Sequence, residues 1–319
     1  MNGATTSWSV LGVVVQVMLV IAGAPVLVAL MRQVRARLEG RVGAGLGQPW
    51  RDLRKQLRKE SIAPDGSTMV FAAAPAVALS SMVLIVCAAP FITTTSPLDG
   101  VADLFAVVSL LLVASIALAL AGLDTGSAFG GMGSSRTVTV AALAEPTLLV
   151  AGFALSVQVG SSNLASLVEH GQRVPGTILS PASLLAAVAL WIVVVAEAGR
   201  LPVDNPSTHL ELTMIHEATI LEYAGPDLAM VELGSAMRLA VLLGLWGNLF
   251  LPWGVATTAG PGTLALGAIV FVVKVAALGA VLAASEVFMA KWRLFRVPEL
   301  LAGSFLFSVL AVSSSFFLS

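Results

Sequence analysis

The sequence has little charge, which separates it from ordinary soluble proteins. Only 11% of its 319 residues are charged, whereas a soluble domain carries roughly 25%. Hydrophobic residues make up 57% of the chain, and the mean hydropathy is +0.95. The net charge of −1 says little, because the distribution of charge along the chain matters more than its sum. This composition predicts an integral membrane protein.

Cysteine and histidine are also scarce, which excludes several kinds of redox site. The one cysteine, Cys87, leaves no internal disulfide, no CxxC pair and no cysteine-ligated iron–sulfur cluster within this chain. The three histidines all lie outside the apolar runs, which argues against a bis-histidine haem. His209 and His216 are two helical turns apart, roughly 10 Å, so we expect no metal site. No catalytic triad signature is present, and any redox cofactor is expected on a partner.

Long apolar runs dominate what remains, and their lengths suit membrane-crossing helices rather than the alternating strands of a barrel. We therefore predict an all-α membrane protein in which residues 1–319 form one polytopic domain. The first run follows a segment without positive charge, so it is expected to be a membrane helix and not a cleavable signal. The predicted spans are 10–31, 70–90, 104–123, 138–160, 181–198, 228–251, 263–285 and 300–318.

The basic residues are distributed unevenly between the two ends of these spans. All but Arg173 and Lys274 of the 17 Lys and Arg residues are assigned to one side. The positive-inside rule then places that side in the cytoplasm and both termini outside, as in a multi-pass protein of the inner (plasma) membrane. The predicted cytoplasmic loops are 32–69, 124–137, 199–227 and 286–299.

The first of these loops contains an amphipathic segment, P-W-R-D-L-R-K-Q-L-R-K-E, which starts at Pro49. Trp50, Leu53 and Leu57 fall on one helical face, and most other residues are basic, as is typical of a helix lying on a membrane surface. One interpretation is attraction to anionic lipid. The alternative is a docking surface for a peripheral partner, formed by Trp50, Arg51, Asp52, Arg54 and Lys55.

Two of the charged residues within predicted spans are of particular interest. Glu145, followed by Pro146, and Lys274 are each costly in lipid unless they are paired, neutralised or hydrated. A glycine-rich stretch ending at Arg136 precedes Glu145, and its glycines are expected to permit close backbone approach. Glu145 could serve in proton movement or only in a packing hydrogen bond. The sequence leaves open whether Glu145 and Lys274 pair.

The most polar stretch of the chain runs from Glu197 to Glu222, between two membrane-length apolar runs. Pro202 and Pro206 exclude a regular helix at its start, and a short helix is predicted over 209–224. Such a helix could be an interfacial element with a solvated acidic edge. A polar site placed against lipid is the other interpretation.

Several motifs resemble the subunit that joins the two arms of respiratory complex I, the complex I subunit 1 family. They are A-E-A-G-R-L-P-V-D-N-P at Ala196–Pro206, Glu145-Pro146 and Q-P-W-R-D-L-R-K at Gln48–Lys55. Two longer motifs are similar to the hydrogenase branch of this family, that is, the membrane subunits of group 4 [NiFe] hydrogenases and formate hydrogenlyase. These are D-N-P-S-T-H-L-E-L-T-M-I-H-E-A and, at Glu286–Leu301, E-V-F-M-A-K-W-R-L-F-R-V-P-E-L-L.

The resemblance implies a non-catalytic subunit of an oxidoreductase complex that anchors a peripheral module and couples electron transfer to proton translocation. Its implied partners are hydrogenase large and small subunits, a ferredoxin-like iron–sulfur subunit and antiporter-like membrane subunits, with the [NiFe] centre and iron–sulfur clusters on those partners. Arg136 and Arg200 would hold loops and tune carboxylates. The implied proton-path residues are Glu145, Glu197, Asp204, Glu211, Glu217, Glu222 and Lys274.

Two other functions remain open at the level of sequence. One is the quinone-site subunit of a complex I-like NADH:quinone oxidoreductase, which would bind a quinone near the cytoplasmic helix ends. The other is a stand-alone proton or cation transporter, which would move ions without partners.

Overall fold

The structure, a computed structural model, describes residues 3–204, 214–258, 260–289 and 296–317. Within these ranges the chain forms eleven α-helices and no β-strand. The all-α prediction is therefore confirmed. The helices are α1 (Gly3–Leu38), α2 (Gln48–Gln56), α3 (Met69–Ala88), α4 (Leu104–Asp124), α5 (Ala128–Val159), α6 (Leu164–Arg173), α7 (Pro181–Glu197), α8 (His216–Ile220), α9 (Gly225–Phe250), α10 (Pro261–Phe288) and α11 (Val297–Phe317).

Seven of these helices are long and apolar enough to cross a membrane: α1, α3, α4, α5, α9, α10 and α11. The remaining predicted span coincides with α7, an apolar helix of 17 residues. At 1.5 Å per residue α7 is about 25 Å long, somewhat less than a bilayer core of about 30 Å. Each of the eight predicted runs falls on a helix, and the count of eight spans is approximate because of α7.

Neighbouring helices pack side by side, and the last helix closes the bundle. α3 packs against α4, α4 against α5, and α5 against α7. α11 lies against both α5 and α7, and α1 lies against α9 and α10. The chain crosses back and forth, so the ends of α1, α4, α7 and α10 meet the starts of α3, α5, α9 and α11. We call this end of the bundle the basic end and the other the opposite end.

The short helix α2 lies across α1 and α9. Leu53 is buried, and the indole N–H of Trp50 donates a hydrogen bond to the carbonyl of Ala22 at 3.2 Å. Leu57 follows the last turn and is 58% exposed, so the predicted apolar face consists of Trp50 and Leu53 only. These two contacts attach α2 to the side of the bundle.

The region 124–137, predicted as a cytoplasmic loop, is mostly helical: only residues 125–127 separate α4 from α5. The Ser127 hydroxyl accepts a hydrogen bond from the N–H of Gly130 and caps α5, so the helix starts early. The glycines consequently lie inside the helix. They do permit close approach: a Cβ atom on Gly133 would lie 2.7 Å from the backbone nitrogen of Thr219 in α8.

Helices also extend into the other predicted cytoplasmic loops. Residues 32–38 belong to α1, 225–227 to α9, 286–288 to α10 and 297–299 to α11. Arginine and glutamate are good helix formers, so charge marks the membrane boundary without ending a helix.

A short helix is predicted over 209–224. Among the described residues of that range, only those of α8 are helical. Residues 205–213 of that region, which include His209 and Glu211, lie outside the described residues. Gly225, at a φ of +60°, begins α9, and Pro226 occupies the first turn, where its missing N–H removes no helical hydrogen bond.

At the opposite end, a buried glutamine on α1 supports the break that follows α3. Gln16 is 2% exposed. Its side-chain amide binds four backbone groups, donating to the carbonyls of Val86 and Ala89 and accepting from the N–H groups of Phe91 and Ile92. Backbone groups inside a bilayer have no water to bind, so this side chain supplies the partners that the ended helix lacks.

The close approach of α5 and α8 gives a stability prediction. Gly133→Ala is expected to lower the thermal midpoint of the purified protein, because the new methyl group collides with the Thr219 backbone. Gly131→Ala is the matched control, since a Cβ there meets nothing within 4 Å. Alanine favours a helix over glycine by about 0.5–1 kcal/mol, so the control should be neutral or slightly stabilising. Equal thermal midpoints for the two variants would contradict the close packing of α5 against α8.

Candidate functional site

A buried group of charges joins three long helices. Glu145 on α5 and Glu197 at the end of α7 are each 6% exposed, and Arg238 projects from α9. Arg238 forms an ion pair with Glu197 and donates a hydrogen bond to the hydroxyl of Ser115 on α4 at 2.7 Å. Glu145 interacts electrostatically with both Glu197 and Arg238. We call Glu145, Glu197 and Arg238 the interior charge cluster.

The interior charge cluster has more acid than base. Two carboxylates face a single guanidinium, and the Glu145 Oε1 atom is buried without a hydrogen-bond partner among the described residues. Ionisation of both acids would therefore place an uncompensated negative charge in a low-dielectric interior. Binding one proton removes that charge, so the cluster has the composition of a proton-binding site.

Arg238 is a residue for which the sequence-based prediction is wrong. The charge distribution assigns it to a loop on the basic side, but it lies inside α9, the helix from Gly225 to Phe250. The signal that could have found it is its position within the predicted run 228–251. An arginine within a membrane helix requires a counter-ion, and Glu197 is the candidate at the end of another span.

A second buried carboxylate lies at the basic end and is not singled out by the sequence. Glu286, at the end of α10, is 3% exposed. Its Oε2 atom lies 2.8 Å from Arg35 Nη2 of α1, and its Oε1 atom lies 3.8 Å from Arg200 Nη1. Burial lowers the pKa of the Arg200 guanidinium, and the Glu286 carboxylate opposes that shift. Glu286 on α10 thus binds an arginine of α1 and an arginine of the segment after α7.

Asp204 and Arg136 meet at the start of α8. Asp204, 3% exposed, accepts a hydrogen bond from the backbone N–H of His216 at 3.2 Å, and its Oδ2 atom lies 3.3 Å from Nδ1 of that residue. Arg136, on α5, donates to the carbonyl of Met214 at 2.6 Å. Two of the residues named from sequence therefore hold the polypeptide at Met214 and at His216.

The other acids predicted near this loop are placed less deeply. Glu217, on α8, is half-buried, whereas Glu222 follows α8 and is exposed to solvent. Glu211 lies outside the described residues. The structure thus brings Glu145 and Glu197 together in the interior and leaves Glu222 at the surface.

Lys274 belongs to a different polar group at the opposite end. Its Nζ atom donates to Oδ1 of Asn248 on α9 at 3.2 Å. The amide of Asn248 donates in turn to the carbonyls of Pro90 and Phe91, at 2.9 and 3.0 Å. Among the described residues, no ion pair joins Lys274 to Glu145. Lys274 is therefore linked through Asn248 to the non-helical segment after α3.

An apolar layer separates the interior charge cluster from the opposite end. Leu148 follows Glu145 by one turn, Val194 precedes Glu197 by one turn, and Leu242 follows Arg238 by one turn. The layer encloses a void of about 30 Å³. Water there would find no polar side chain to bind, so the void is expected to stay dry. The lining residues are Leu104, Val107, Leu148, Leu164, Leu190, Val193, Val194, Leu242, Leu245, Trp246 and Leu249.

The outer side of α2 is basic. Arg51, Arg54 and Lys55 are exposed, whereas Asp52 is half-buried and accepts a hydrogen bond from the side chain of Gln48 at 2.9 Å. Gln56 donates to the Glu232 carboxylate of α9 at 3.0 Å. These contacts hold α2 in place and leave its cations directed to the surroundings.

The described residues contain no group of three or more His, Cys, Asp and Glu side chains that could hold a metal ion. The thiol of Cys87 is free and lies within α3.

Comparisons with known proteins agree with this architecture. Formate hydrogenlyase subunit 4 of Escherichia coli K12 is 33% identical over 306 residues, which cover 96% of this chain and 98% of that protein. Hydrogenase-4 component C of the same organism is 32% identical and covers 84% of each chain. An NADH-quinone oxidoreductase membrane protein of Syntrophobacter fumaroxidans is 30% identical over 76% of this chain and 75% of its own length.

A solved structure has the same fold. It is a chain of the membrane-bound sulfane sulfur reductase, an archaeal respiratory membrane complex, with a TM-score of 0.78 and 20% sequence identity. The match covers 95% of this chain and 99% of that chain. The family model described as NADH dehydrogenase matches residues 10–315. The chain therefore belongs to the NADH dehydrogenase family of membrane subunits, the complex I subunit 1 family.

Proposed function

We propose that this chain is the membrane subunit of a group 4 [NiFe] hydrogenase or a formate hydrogenlyase-like complex. It anchors a peripheral hydrogenase and iron–sulfur module and couples electron transfer in that module to proton translocation. Its partners are hydrogenase large and small subunits, a ferredoxin-like subunit and antiporter-like membrane subunits. The [NiFe] centre and iron–sulfur clusters lie on those partners. The similarity to formate hydrogenlyase subunit 4 over almost the whole of both chains supports this assignment.

The observation that carries the proton-coupling role is the interior charge cluster. Glu145 has a buried oxygen without a hydrogen bond and lies near both the acid and the base of an ion pair. A change in charge nearby, such as a conformational response to reduction of the docked module, alters the balance between the protonated and ionised forms of such a carboxyl group. The protein can therefore take up or release a proton as the partner changes state.

The protein is proposed to span the plasma membrane with its basic end on the cytoplasmic side. The exposed cations of α2 and the arginines at the end of α1 support this orientation through the positive-inside rule. The peripheral module then docks at the same end as Asp204, His216 and α2. In this orientation protons enter from the cytoplasmic side.

The apolar layer argues against a stand-alone transporter. The void beyond Glu145 in the direction of the opposite end is lined by apolar side chains. Onward transfer is therefore proposed to run sideways towards a neighbouring membrane subunit. The purified chain alone in liposomes is then expected not to conduct protons.

A quinone-site subunit is the second candidate, because one of the relatives is named as part of an NADH-quinone oxidoreductase. Inhibition of the intact complex by quinone analogues, together with their displacement by quinone, would favour this candidate over the hydrogenase assignment.

The test of proton coupling is Glu145→Gln in the intact complex, reconstituted in vesicles. Proton movement per electron is expected to fall by about tenfold or more, because the amide cannot take up a proton. Electron transfer by the peripheral module with an artificial acceptor should remain. Glu60→Gln is the control, since Glu60 is exposed at the surface. Unchanged proton movement in Glu145→Gln would refute the coupling role.

A further inference from the structure

We infer that His216 carries protons between the aqueous phase at the basic end and the buried carboxylate of Asp204. The inference rests on the proposed proton-coupling function and adds to it the residue through which protons enter. His216 is a half-exposed imidazole in direct contact with a buried acid that the family resemblance assigns to the path.

The two side chains differ sharply in their access to solvent. The His216 side chain is 38% exposed, whereas that of Asp204 is 5% exposed. Nδ1 of the ring lies 3.3 Å from Oδ2 of Asp204. One side of the imidazole therefore reaches water while the other meets the carboxylate. A proton can pass from solvent to Asp204 through the ring although Asp204 itself is largely shielded.

Two backbone features orient the ring. The N–H of His216 donates to the same Oδ2 atom at 3.2 Å, so the carboxylate is fixed relative to the residue that carries the imidazole. On the other side, Gly199 has a φ of +58°, and a Cβ atom there would lie 2.8 Å from Nδ1 of His216. Only glycine both adopts this conformation readily and leaves the space that the ring occupies.

Charged residues lie on the elements that pack near the ring, including Arg200, which follows Gly199. α8 packs against α5 and α4, whose charged residues are Arg136 and Glu145 on α5 and Asp124 at the end of α4. Asp124 accepts hydrogen bonds from Thr68 and Phe71, and Arg136 binds the carbonyl of Met214. On the helix itself Glu217 follows His216 directly. Asp204 is thus the acid held against the ring by a hydrogen bond on the described part of the chain.

Imidazole suits this role because it gains and loses a proton between about pH 5 and 8. Solvent protonates the ring to give an imidazolium ion. Transfer of its Nδ1 proton to the Asp204 carboxylate leaves a neutral imidazole and a neutral carboxylic acid, so one proton moves and no electrons are exchanged. Onward loss of the Asp204 proton, together with return of the ring to its Nδ1–H tautomer by exchange of its protons with water and renewed protonation at Nε2, restores the starting state.

The test uses the intact complex in vesicles with His216→Asn. The asparagine amide keeps a hydrogen-bond donor near Asp204 but does not titrate, so folding should be retained. The proton-coupled rate is expected to fall by about tenfold or more, and its pH profile should change because the amide cannot carry the proton. His216→Ala should show the same loss and regain part of the rate when imidazole is added to the medium. His170→Gln, at the opposite end, is the control and should behave as the unaltered protein.

The outcomes separate this inference from the proposed function. Unaltered rate and pH profile in His216→Asn, with Glu145→Gln still impaired, would overturn the role of His216 and leave the function standing. A loss in His216→Ala that imidazole does not restore, with an unaltered pH profile in His216→Asn, would mean that the residue is structural and would equally overturn the inference. No effect of Glu145→Gln would refute the proposed function itself.

Discussion

Arg238→Met is expected to destabilise the protein by about 3–5 kcal/mol, the usual effect of removing one partner of a buried ion pair. The substitution leaves Glu197, which is 6% exposed, without its guanidinium, and it removes the cation nearest to Glu145. It also deprives the Ser115 hydroxyl of a donor. A lower midpoint of thermal unfolding in detergent, followed by intrinsic tryptophan fluorescence, is the measurement.

The double variant Arg238→Met with Glu197→Gln is the matched control. When Glu197 carries no charge, loss of the guanidinium lowers the stability less, because neutral groups in place of a buried ion pair are often tolerated. Most of the lost stability should therefore return. If the double variant is as unstable as the single one, lost packing of the arginine side chain, and not the unpaired carboxylate, explains the effect.

Gln16→Leu is expected to destabilise the protein by about 2–6 kcal/mol. The Phe91 N–H and the Ala89 carbonyl also bind each other, so the groups that lose the partner supplied by Gln16 outright are the Val86 carbonyl and the Ile92 N–H. Each such buried group costs about 1–3 kcal/mol when left unsatisfied. Leucine itself is favourable in a bilayer, so the lost stability comes from backbone groups that no longer have a hydrogen-bond partner. The measurement is again the thermal midpoint in detergent.

Gln33→Leu provides the comparison for this prediction. Gln33 lies on the same helix at the basic end, where water can replace any lost hydrogen bond. Its midpoint should stay close to that of the unaltered protein. A Gln16→Leu protein with an equally high midpoint would show that the break after α3 does not depend on the glutamine.

The positions of the long helices follow from hydropathy, and their ends do not. The segment 124–137 reads as a loop because glycine and polar residues interrupt the apolar pattern there. Glycine is unfavourable in an isolated helix, but Ser127 caps α5 and the close contact with α8 requires small residues, so tertiary packing decides the start of the helix. Hydropathy does not contain that information.

Pairing between distant side chains is equally hard to foresee. The sequence identifies Glu145, Glu197 and Arg200 as charges that need an explanation. It does not reveal that Arg238 is the counter-ion of Glu197, or that Glu286 is held by Arg35 and Arg200. Such pairs depend on the rotation of each helix about its axis, which nearly uniform apolar composition leaves undetermined. For the same reason, the sequence does not distinguish Gln16 as the residue that supports the break after α3.

The ion pair of Glu197 and Arg238 also has a consequence for biosynthesis. α7 is made before α9, so the acid is already in the membrane when the arginine emerges from the ribosome. An arginine at the middle of a nascent helix opposes insertion by about 2.5–3.5 kcal/mol. The Glu197 carboxylate can compensate the charge of Arg238 as α9 leaves the translocon. Loss of the Glu197 charge should consequently increase the fraction of newly made chains that are mistargeted or degraded, independently of any effect on the activity of the folded protein.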